Sequence, residues 1–191
     1  MRVIAGTCGG IRLVVPKTDI RPTMDRVKAA IFSSLGNRVI GARVLDLFAG
    51  TGALGIEALS RGAASVMFVE NDRHAIAAIE RNLAQTGLSG RIRKQEVFDF
   101  LSHASTAEPH DLIFADPPYD KSRSGEPFTR LLLRNERLPL RLTNEGIFVL
   151  EKRPGERLSS TELWNVTRRK TYGATETIFL QRKAVSTEVE L

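Results

Sequence analysis

The stretch from Arg43 to Gly55, RVLDLFAGTGALG, joins an apolar run to three glycines spaced as G-x-G-x-x-G. Gly50, Gly52 and Gly55 let the backbone approach a ligand closely, and the helix that follows offers unpaired N–H groups at its start. Glu70 stands 20 residues beyond Gly50, where a carboxylate can accept hydrogen bonds from both ribose hydroxyls of a nucleoside. These residues predict a nucleoside cofactor without saying which one.

Asp46 distinguishes between the nucleoside cofactors. It stands four residues before Gly50, near the carboxyl end of the apolar run, where a dinucleotide fold would bring its diphosphate. Two like charges ~4 Å apart repel each other by about 4 kcal/mol at an effective dielectric constant near 20. A carboxylate attracts a sulfonium or ammonium group instead, so the loop favours S-adenosylmethionine over NAD. The same carboxylate could also accept hydrogen bonds from local backbone N–H groups.

A second motif ends the stretch DLIFADPPY, which begins at Asp111. Pro117 and Pro118 remove two N–H donors and stiffen the chain, while the carbonyls and the Asp116 carboxylate remain as acceptors. Such rigid acceptors suit an exocyclic amino group on a planar ring, on which Tyr119 can stack at about 1–3 kcal/mol per base. We therefore expect Asp116, Pro117 and Tyr119 to be the catalytic residues.

The elements that must position these residues alternate between short apolar runs and helical patterns. Strands are predicted at 44–48, 65–70, 91–95, 112–115 and 146–151, helices at 52–60, 73–85, 97–101 and 128–138, and an antiparallel pair at 165–171 and 175–181. Strands separated by helices require right-handed crossovers, so the predicted fold class is α/β: a doubly wound, Rossmann-like, mostly parallel sheet with C-terminal antiparallel edge strands. The strand ends that carry Asp46 and Asp116 should be neighbours at the switch point of this sheet.

The N-terminal quarter carries the whole net charge of +6, because residues 1–43 hold eight basic and two acidic side chains and the rest is balanced. Weak alternation around glycines predicts a small hairpin at 1–15, and a helix should open near Thr23, a suitable cap. The charge asymmetry indicates a polyanionic partner at this end, although a solvated basic face would explain it equally well.

Composition argues against several classes of protein. Cys8 is the single cysteine, so no internal disulfide can form, which suits a reducing compartment. No apolar run approaches the ~20 residues that cross a bilayer, and the first residues do not read as a secretory signal. The three histidines, His74, His103 and His110, form no ligand pattern. We therefore expect a cytoplasmic monomer with no metal and no membrane partner.

Taken together, DLFAGTG, VEND and DPPY resemble the class I S-adenosylmethionine-dependent methyltransferases that methylate amino nitrogens of nucleobases. RPTMDRVKAAIFSSL, followed by VLDLFAGTGALGIEALSRGA, is similar to the RsmD family of bacterial 16S ribosomal RNA guanine-N2 methyltransferases, and the similarity runs over residues 2–182. The resemblance implies S-adenosyl-L-methionine as the cofactor, with Glu96 near the adenine N6. The cofactor-binding residues are then expected to be Asp46, Phe48, Gly50, Gly52, Glu70, Asn71, Glu96, Val97 and Asp116.

The resemblance also implies a substrate, 16S ribosomal RNA within an assembled or assembling 30S subunit. Phosphate contacts are expected from Arg2, Arg12, Lys17, Arg21, Arg26 and Lys28, and from Lys121 and Arg123 in the loop 120–127. Some of these cations, Arg21 and Arg26 first, should also pair within the protein. We divide the chain into a basic RNA-binding extension at 1–40, a methyltransferase domain at 41–183 and a disordered tail at 184–191.

Three other functions remain open at this point. An NAD(P)-dependent oxidoreductase fits the glycine pattern, although no hydride-transfer residues are recognisable. A nucleic-acid-binding protein without catalysis would fit the basic end but not the acids at 46, 70 and 116. Methylation of adenine N6 or of a protein amide also fits, because an acid-Pro-Pro-aromatic motif can serve several planar amino groups.

Overall fold

The computed structural model describes residues 1–15, 23–103, 109–119, 125–158 and 162–183. Its strands are β1 (Arg43–Leu47), β2 (Ser65–Glu70), β3 (Arg91–Lys94), β4 (His110–Ala115), β5 (Leu142–Lys152), β6 (Trp164–Tyr172) and β7 (Thr175–Arg182). Its α-helices are α1 (Thr23–Leu35), α2 (Ala53–Ser60), α3 (Arg73–Thr86), α4 (Val97–Ser102) and α5 (Phe128–Arg134). Short 3₁₀ turns follow α1 at Gly36–Val39 and precede β5 at Pro139–Arg141.

The seven strands form one sheet in the order β3-β2-β1-β4-β5-β7-β6. The first five pair in parallel, while β7 runs antiparallel to both β5 and β6. The direction of winding reverses between β1 and β4, which is the switch point where ligands bind in open α/β sheets. The predicted fold class is confirmed, including the antiparallel strands at the C-terminal end.

The helices divide between the two faces of the sheet. On one face, which we call face A, α1, α2 and α3 pack on a cluster that includes Val44, Phe114 and Phe179. On the other, α4 and α5 pack on a cluster that includes Leu45 and Ile178. Successive residues of a strand point to opposite faces. The faces are therefore fixed by single-residue alternation, which also decides where each acid at a strand end lies.

One predicted helix is too long. The helix predicted at 128–138 ends at Arg134, because Asn135 leaves the helical conformation and its side chain accepts hydrogen bonds from the backbone N–H groups of Arg137 and Leu138. This side-chain turn competes with the helix for the same donors. Strand β5 also begins at Leu142, four residues before the predicted start.

The N-terminal residues pack into the same core as the sheet. Arg2 and Arg12 form an antiparallel bridge, and Val3, fully buried, exchanges backbone hydrogen bonds with the opposite side of the turn. The buried carboxylate of Glu57 in α2 accepts from the backbone N–H groups of Ile4 (2.7 Å) and Ala5 (3.1 Å). Segment 1–15 is thus fastened to the helix that follows the glycine-rich loop.

Within the ranges that the structure describes, every helix is too short or too polar to cross a membrane.

Candidate active site

The glycine-rich loop turns sharply from β1 into α2. Gly52 precedes α2 with φ of 75°, a left-handed conformation that side chains disfavour. A Cβ at Gly55 would overlap the ring of Phe68 in β2, so only glycine allows α2 to lie this close to the sheet. The loop therefore keeps its backbone near the strand ends, as the spacing predicts.

Asp46 is buried beneath this loop, with 2% of its surface exposed. Its carboxylate accepts a hydrogen bond from the Gly55 N–H (2.9 Å), so it does hold the local backbone. Burial raises its pKa well above the ordinary value, and the charges of Asp116 and Glu70 add to this rise, while the Gly55 hydrogen bond opposes it. A cation placed in the adjoining cavity would compensate this desolvated charge.

Glu70 ends β2 and fixes the two turns around it. One carboxylate oxygen accepts from the Gly50 N–H (2.8 Å), and the other accepts from the N–H groups of Asn71 (2.8 Å) and Asp72 (2.9 Å). Asp72 in turn caps α3. Glu70 therefore joins the glycine-rich loop to the start of α3, and the expected ribose contact remains a prediction.

Glu96 occupies the corresponding position after β3. Its side chain caps α4 by accepting from the N–H groups of Phe98 (2.7 Å) and Asp99 (2.9 Å) through one oxygen. Val97, the first residue of α4, is buried. The adenine contact of these two residues remains a prediction, and their positions after β3 are held by this cap.

Three aromatic side chains surround the end of β1. Phe48 is half-buried and has φ of 52°, the one positive φ of a non-glycine residue in the described parts of the chain. Its ring contacts Phe128 (centroids 5.5 Å apart) and Phe98 (6.2 Å), and the latter two stack on each other. A strained backbone of this kind persists where the surrounding structure holds it, often at functional sites.

A cavity of about 790 Å³ opens at the carboxyl ends of the strands. The N-terminal segment, the glycine-rich loop, α3 and the ends of β1, β4 and β5 all contribute to it. Among its lining residues are Met1, Val14, Lys28, Asp46, Phe48, Gly50, Asp116 and Glu151. The structure therefore brings the two motifs of the sequence, the glycine-rich loop and DPPY, to one cavity.

Tyr119 lies half-buried on the base of the β6–β7 turn. Its hydroxyl contacts the Thr175 hydroxyl (3.3 Å) and the Ala174 carbonyl (3.5 Å), and the Arg153 guanidinium lies 4.8 Å from the centre of its ring. The arginine was not predicted as part of the site. It lies over one face of the ring on which we expect a base to stack.

Glu151 is a residue that the sequence reasoning missed. It follows the apolar residues 148–150 near the end of β5, just as Asp46 and Asp116 follow or end apolar runs, and this pattern could have identified it. Asp46, Asp116 and Glu151 alternate with residues of the opposite core cluster, so all three point to face A. In the described part of the chain, no group of three or more His, Cys, Asp or Glu side chains is arranged to hold a metal ion.

The predicted phosphate-binding residues fall into three groups. Arg2, Arg12 and Arg26 are exposed. Lys28 is not: its Nζ lies 3.3 Å from Glu57 and donates to the Arg2 carbonyl. We correct that prediction, since the buried Glu57 carboxylate requires a cation nearby. The others, Lys17, Arg21, Lys121 and Arg123, lie outside the described residues, as do the tail beyond 183 and most of the loop 120–127.

The comparisons with known proteins cover nearly the whole chain. The model of the family described as Conserved hypothetical protein 95 matches residues 1–181. Ribosomal RNA small subunit methyltransferase D of Escherichia coli K12 is 34% identical over 187 residues, covering 96% of this chain and 91% of that protein. The protein of the same name from Haemophilus influenzae is 32% identical over 177 residues, covering 91% and 89%.

A solved structure agrees with these relatives. The structure titled "Putative methyltransferase yhhF from Escherichia coli" aligns with a TM-score of 0.80 at 32% identity, covering 97% of this chain and 99% of that one. The family match, the relatives and the shared fold all point to the same enzyme class as the cavity described above. The chain belongs to the Conserved hypothetical protein 95 family, the RsmD family of methyltransferases.

Proposed function

We propose that this methyltransferase transfers a methyl group from S-adenosylmethionine to the exocyclic N2 of a guanine in small-subunit ribosomal RNA. The observation that carries the proposal is the opening of Asp46 and Asp116 into one cavity. The first acid suits a cationic nucleoside, and the second begins a donor-poor motif that suits an amino group. Relatives that match most of the chain are named as methyltransferases of small-subunit ribosomal RNA, which supports this substrate.

The residues present fit S-adenosylmethionine. The buried Asp46 carboxylate faces the cavity and would bind a cationic part of the cofactor, while Gly50 and Gly52 keep the backbone close enough for contact. Glu70 and Asn71 would hold the ribose, and Glu96 and Val97 the adenine. When bound, the cofactor would supply an electrophilic methyl group to N2, with the electron pair of the broken carbon–sulfur bond staying on sulfur.

The chain's own contribution is to make a poor nucleophile react. The N2 lone pair of guanine is delocalised into the ring, so N2 gains positive charge as it forms its new bond. The Asp116 carboxylate and the Pro117 carbonyl would accept hydrogen bonds from the two N2–H groups and stabilise that charge. Holding N2 in line with the methyl group contributes through orientation. One N2 proton then leaves, to Asp116 or to water.

The base must leave its stack to reach the cavity, because the reacting atom lies inside a helix otherwise. Tyr119, whose ring carries the Arg153 guanidinium over one face, would stack on the flipped base through the other. RNA phosphates would be bound by the exposed arginines 2, 12 and 26. Arg168 and Lys170 of β6 are also exposed and pair with Phe179 and Thr177, which places them on face A with α1. We add this edge to the proposed RNA surface.

We further propose that the substrate is the assembled or assembling small subunit, that the chain acts as a monomer and that it works in the cytoplasm. The spread of basic residues over the N-terminal segment and β6 supports a large, structured RNA rather than a short strand.

The experiment is methyl transfer from labelled cofactor to small subunits, and separately to their free RNA, both taken from cells that lack the modification. We expect N2-methylguanosine in the nucleoside digest, formed faster on the small subunits than on their free RNA. N6-methyladenosine as the product would contradict the proposal. S-adenosylhomocysteine should raise the melting temperature, and stabilisation by NAD alone would overturn the cofactor assignment.

A second test concerns the RNA surface. Reversing Arg2 and Arg12 to glutamate should weaken RNA binding and flatten its salt dependence, without changing the affinity for S-adenosylhomocysteine. Arg91, exposed on β3 away from this surface, offers a matched reversal as the control. An equal loss in both variants would show that net charge, not this surface, matters.

A further inference from the structure

Glu151 lies in the half of the site that faces away from the cofactor-binding loops. Those loops follow β1, β2 and β3, and Asp116 follows β4. Leu150 pairs with Ala115 in the parallel register of β4 and β5, so Glu151 comes directly beside Asp116 on its far side. It lines the same cavity with only 9% of its surface exposed. Its position is therefore that of a residue facing the substrate base.

The Glu151 carboxylate has no hydrogen-bond donor or cation within the described ranges of the chain. The residue opposite it on β7, Thr177, has a fully buried hydroxyl that also lacks a partner there. Burial raises the pKa of Glu151 well above its ordinary value, and the charges of Asp116 and Asp46 raise it further. Buried polar groups are almost always paired, so an orphaned carboxylate that lines a cavity indicates a ligand with a donor.

Guanine carries such a donor next to the reacting nitrogen. N2 is attached to C2, and the neighbouring ring atom N1 carries a hydrogen in guanine. In adenine and 2-aminopurine, N1 carries a lone pair instead. With N2 held by Asp116 and Pro117, the N1 edge is the part of the ring that can face the neighbouring strand end. Accepting from N1–H stabilises the carboxylate form of Glu151 and so opposes the burial and neighbouring charges that raise its pKa. A lone pair at N1 offers no such donor and is repelled by the carboxylate.

We propose that the Glu151 carboxylate accepts a hydrogen bond from N1–H of the target guanine and thereby selects guanine over purines with a lone pair at N1. This inference rests on the proposed function and names the residue that reads the base.

The test uses small subunits reconstituted with RNA in which the target guanosine is replaced by 2-aminopurine riboside. This analogue keeps the 2-amino group but has no hydrogen on N1. The wild-type chain should methylate it more slowly than guanine by a factor on the order of 10² or more, as expected for a site built around a hydrogen bond that the analogue cannot make. Equal single-turnover rates on the two substrates would overturn the proposal without any variant.

The variant Glu151→Gln sharpens this test. The glutamine amide can donate a hydrogen bond to the N1 lone pair that the carboxylate repels. We therefore expect the guanine-to-2-aminopurine rate ratio to fall at least about tenfold. The missing O6 of the analogue affects both proteins equally and cancels in the comparison. Glu145→Gln, an exposed substitution on the same strand, should leave the ratio unchanged.

The outcomes separate the two proposals. If Glu151→Gln slows both substrates by one factor while it still binds S-adenosylhomocysteine, Glu151 does not read the base. If the wild-type chain transfers no methyl group to the guanine substrate at all, the proposed function fails instead.

Discussion

The two halves of the candidate site treat their carboxylates differently. In the cofactor half, Asp46, Glu70 and Glu96 each accept backbone N–H hydrogen bonds and are held in place before any ligand arrives. In the base half, Glu151 is buried but has no such donor within the described residues. The difference teaches that the cofactor half is organised by its own backbone, while Glu151 in the base half depends on a ligand to supply its hydrogen bond.

The largest expected effect is on chemistry in the base half. Asp116→Ala should lower the single-turnover rate by about 10²–10³-fold, because it removes an acceptor aimed at the charge that develops on N2. Affinity for S-adenosylhomocysteine, measured by calorimetry, should be nearly unchanged. Glu145→Ala serves as the control. A wild-type rate in Asp116→Ala would remove this residue from the base half.

The second effect is on the cofactor half. Asp46→Asn should weaken S-adenosylmethionine binding by about 10–100-fold, since a charge-assisted interaction becomes a neutral one. The asparagine oxygen can still accept from the Gly55 N–H, so α2 should stay in place. The equilibrium affinity for S-adenosylmethionine reports on the cofactor half, and the methyl-transfer rate at saturating cofactor reports on the base half. A full loss of rate with unchanged affinity would contradict the assignment of Asp46 to cofactor binding.

The third effect is on stability. Glu70→Gln should lower the free energy of unfolding by about 1–3 kcal/mol. Both carboxylate oxygens of Glu70 accept from backbone N–H groups, and the glutamine NH2 group would replace one of these acceptors with a donor. For a chain of this length each kcal/mol corresponds to about 2–4 °C in melting temperature. Scanning calorimetry without ligand measures the shift. An unchanged melting temperature would mean that Glu70 is not needed to hold the two turns.

The smallest effect has the opposite sign. Glu151→Gln should raise the melting temperature by about 2–4 °C near neutral pH, as the amide can donate toward the neighbouring acids. The folded-state pKa of Glu151 is raised, so its stabilising contribution is complete below its ordinary pKa and is lost as pH rises through the folded value. The stability gap between variant and wild type should therefore widen with rising pH. A gap that narrows, or a destabilised variant, would mean that Glu151 has a partner in the free protein.

The sequence predicts the cofactor half more completely than the base half, for a physical reason. Glu70 follows Gly50 by 20 residues, a spacing typical of a nucleoside-binding strand–helix–strand unit, so the sequence predicts that the pairing of β1 with β2 brings them together. Glu151 lies beside Asp116 only because β4 pairs with β5. In the sequence it is one acidic residue after an apolar run, a pattern shared by many acids at strand ends that have no role in a site. Strand bounds were predicted closely where apolar runs are continuous. The helix at 128–138 was overpredicted because apolar spacing does not register the side-chain turn at Asn135.

The net charge of a segment was the weakest predictor of which basic residues are available to bind RNA. The basic excess of residues 1–43 says nothing about which cations are buried, and Lys28 proved to be the partner of Glu57, an acid 29 positions further along the chain. The exposed cations of β6 were hidden in a region whose net charge is zero. Only the tertiary structure separates the charges that compensate buried acids from those that remain available to a polyanion.

One side chain mechanically connects the N-terminal segment to the glycine-rich loop. Asn82 in α3 accepts from the Val14 N–H (2.7 Å) and donates to the carbonyls of Val14 and Thr51 (both 3.0 Å). Displacing Val14 would remove two of the three hydrogen bonds that hold the Asn82 side chain, and the third is the one to Thr51 in the loop. A ligand on the segment and a ligand on the loop would be coupled through this side chain to the extent that each changes its hydrogen bonds. Linkage makes such an effect reciprocal, so RNA and cofactor would change each other's affinity by one common factor.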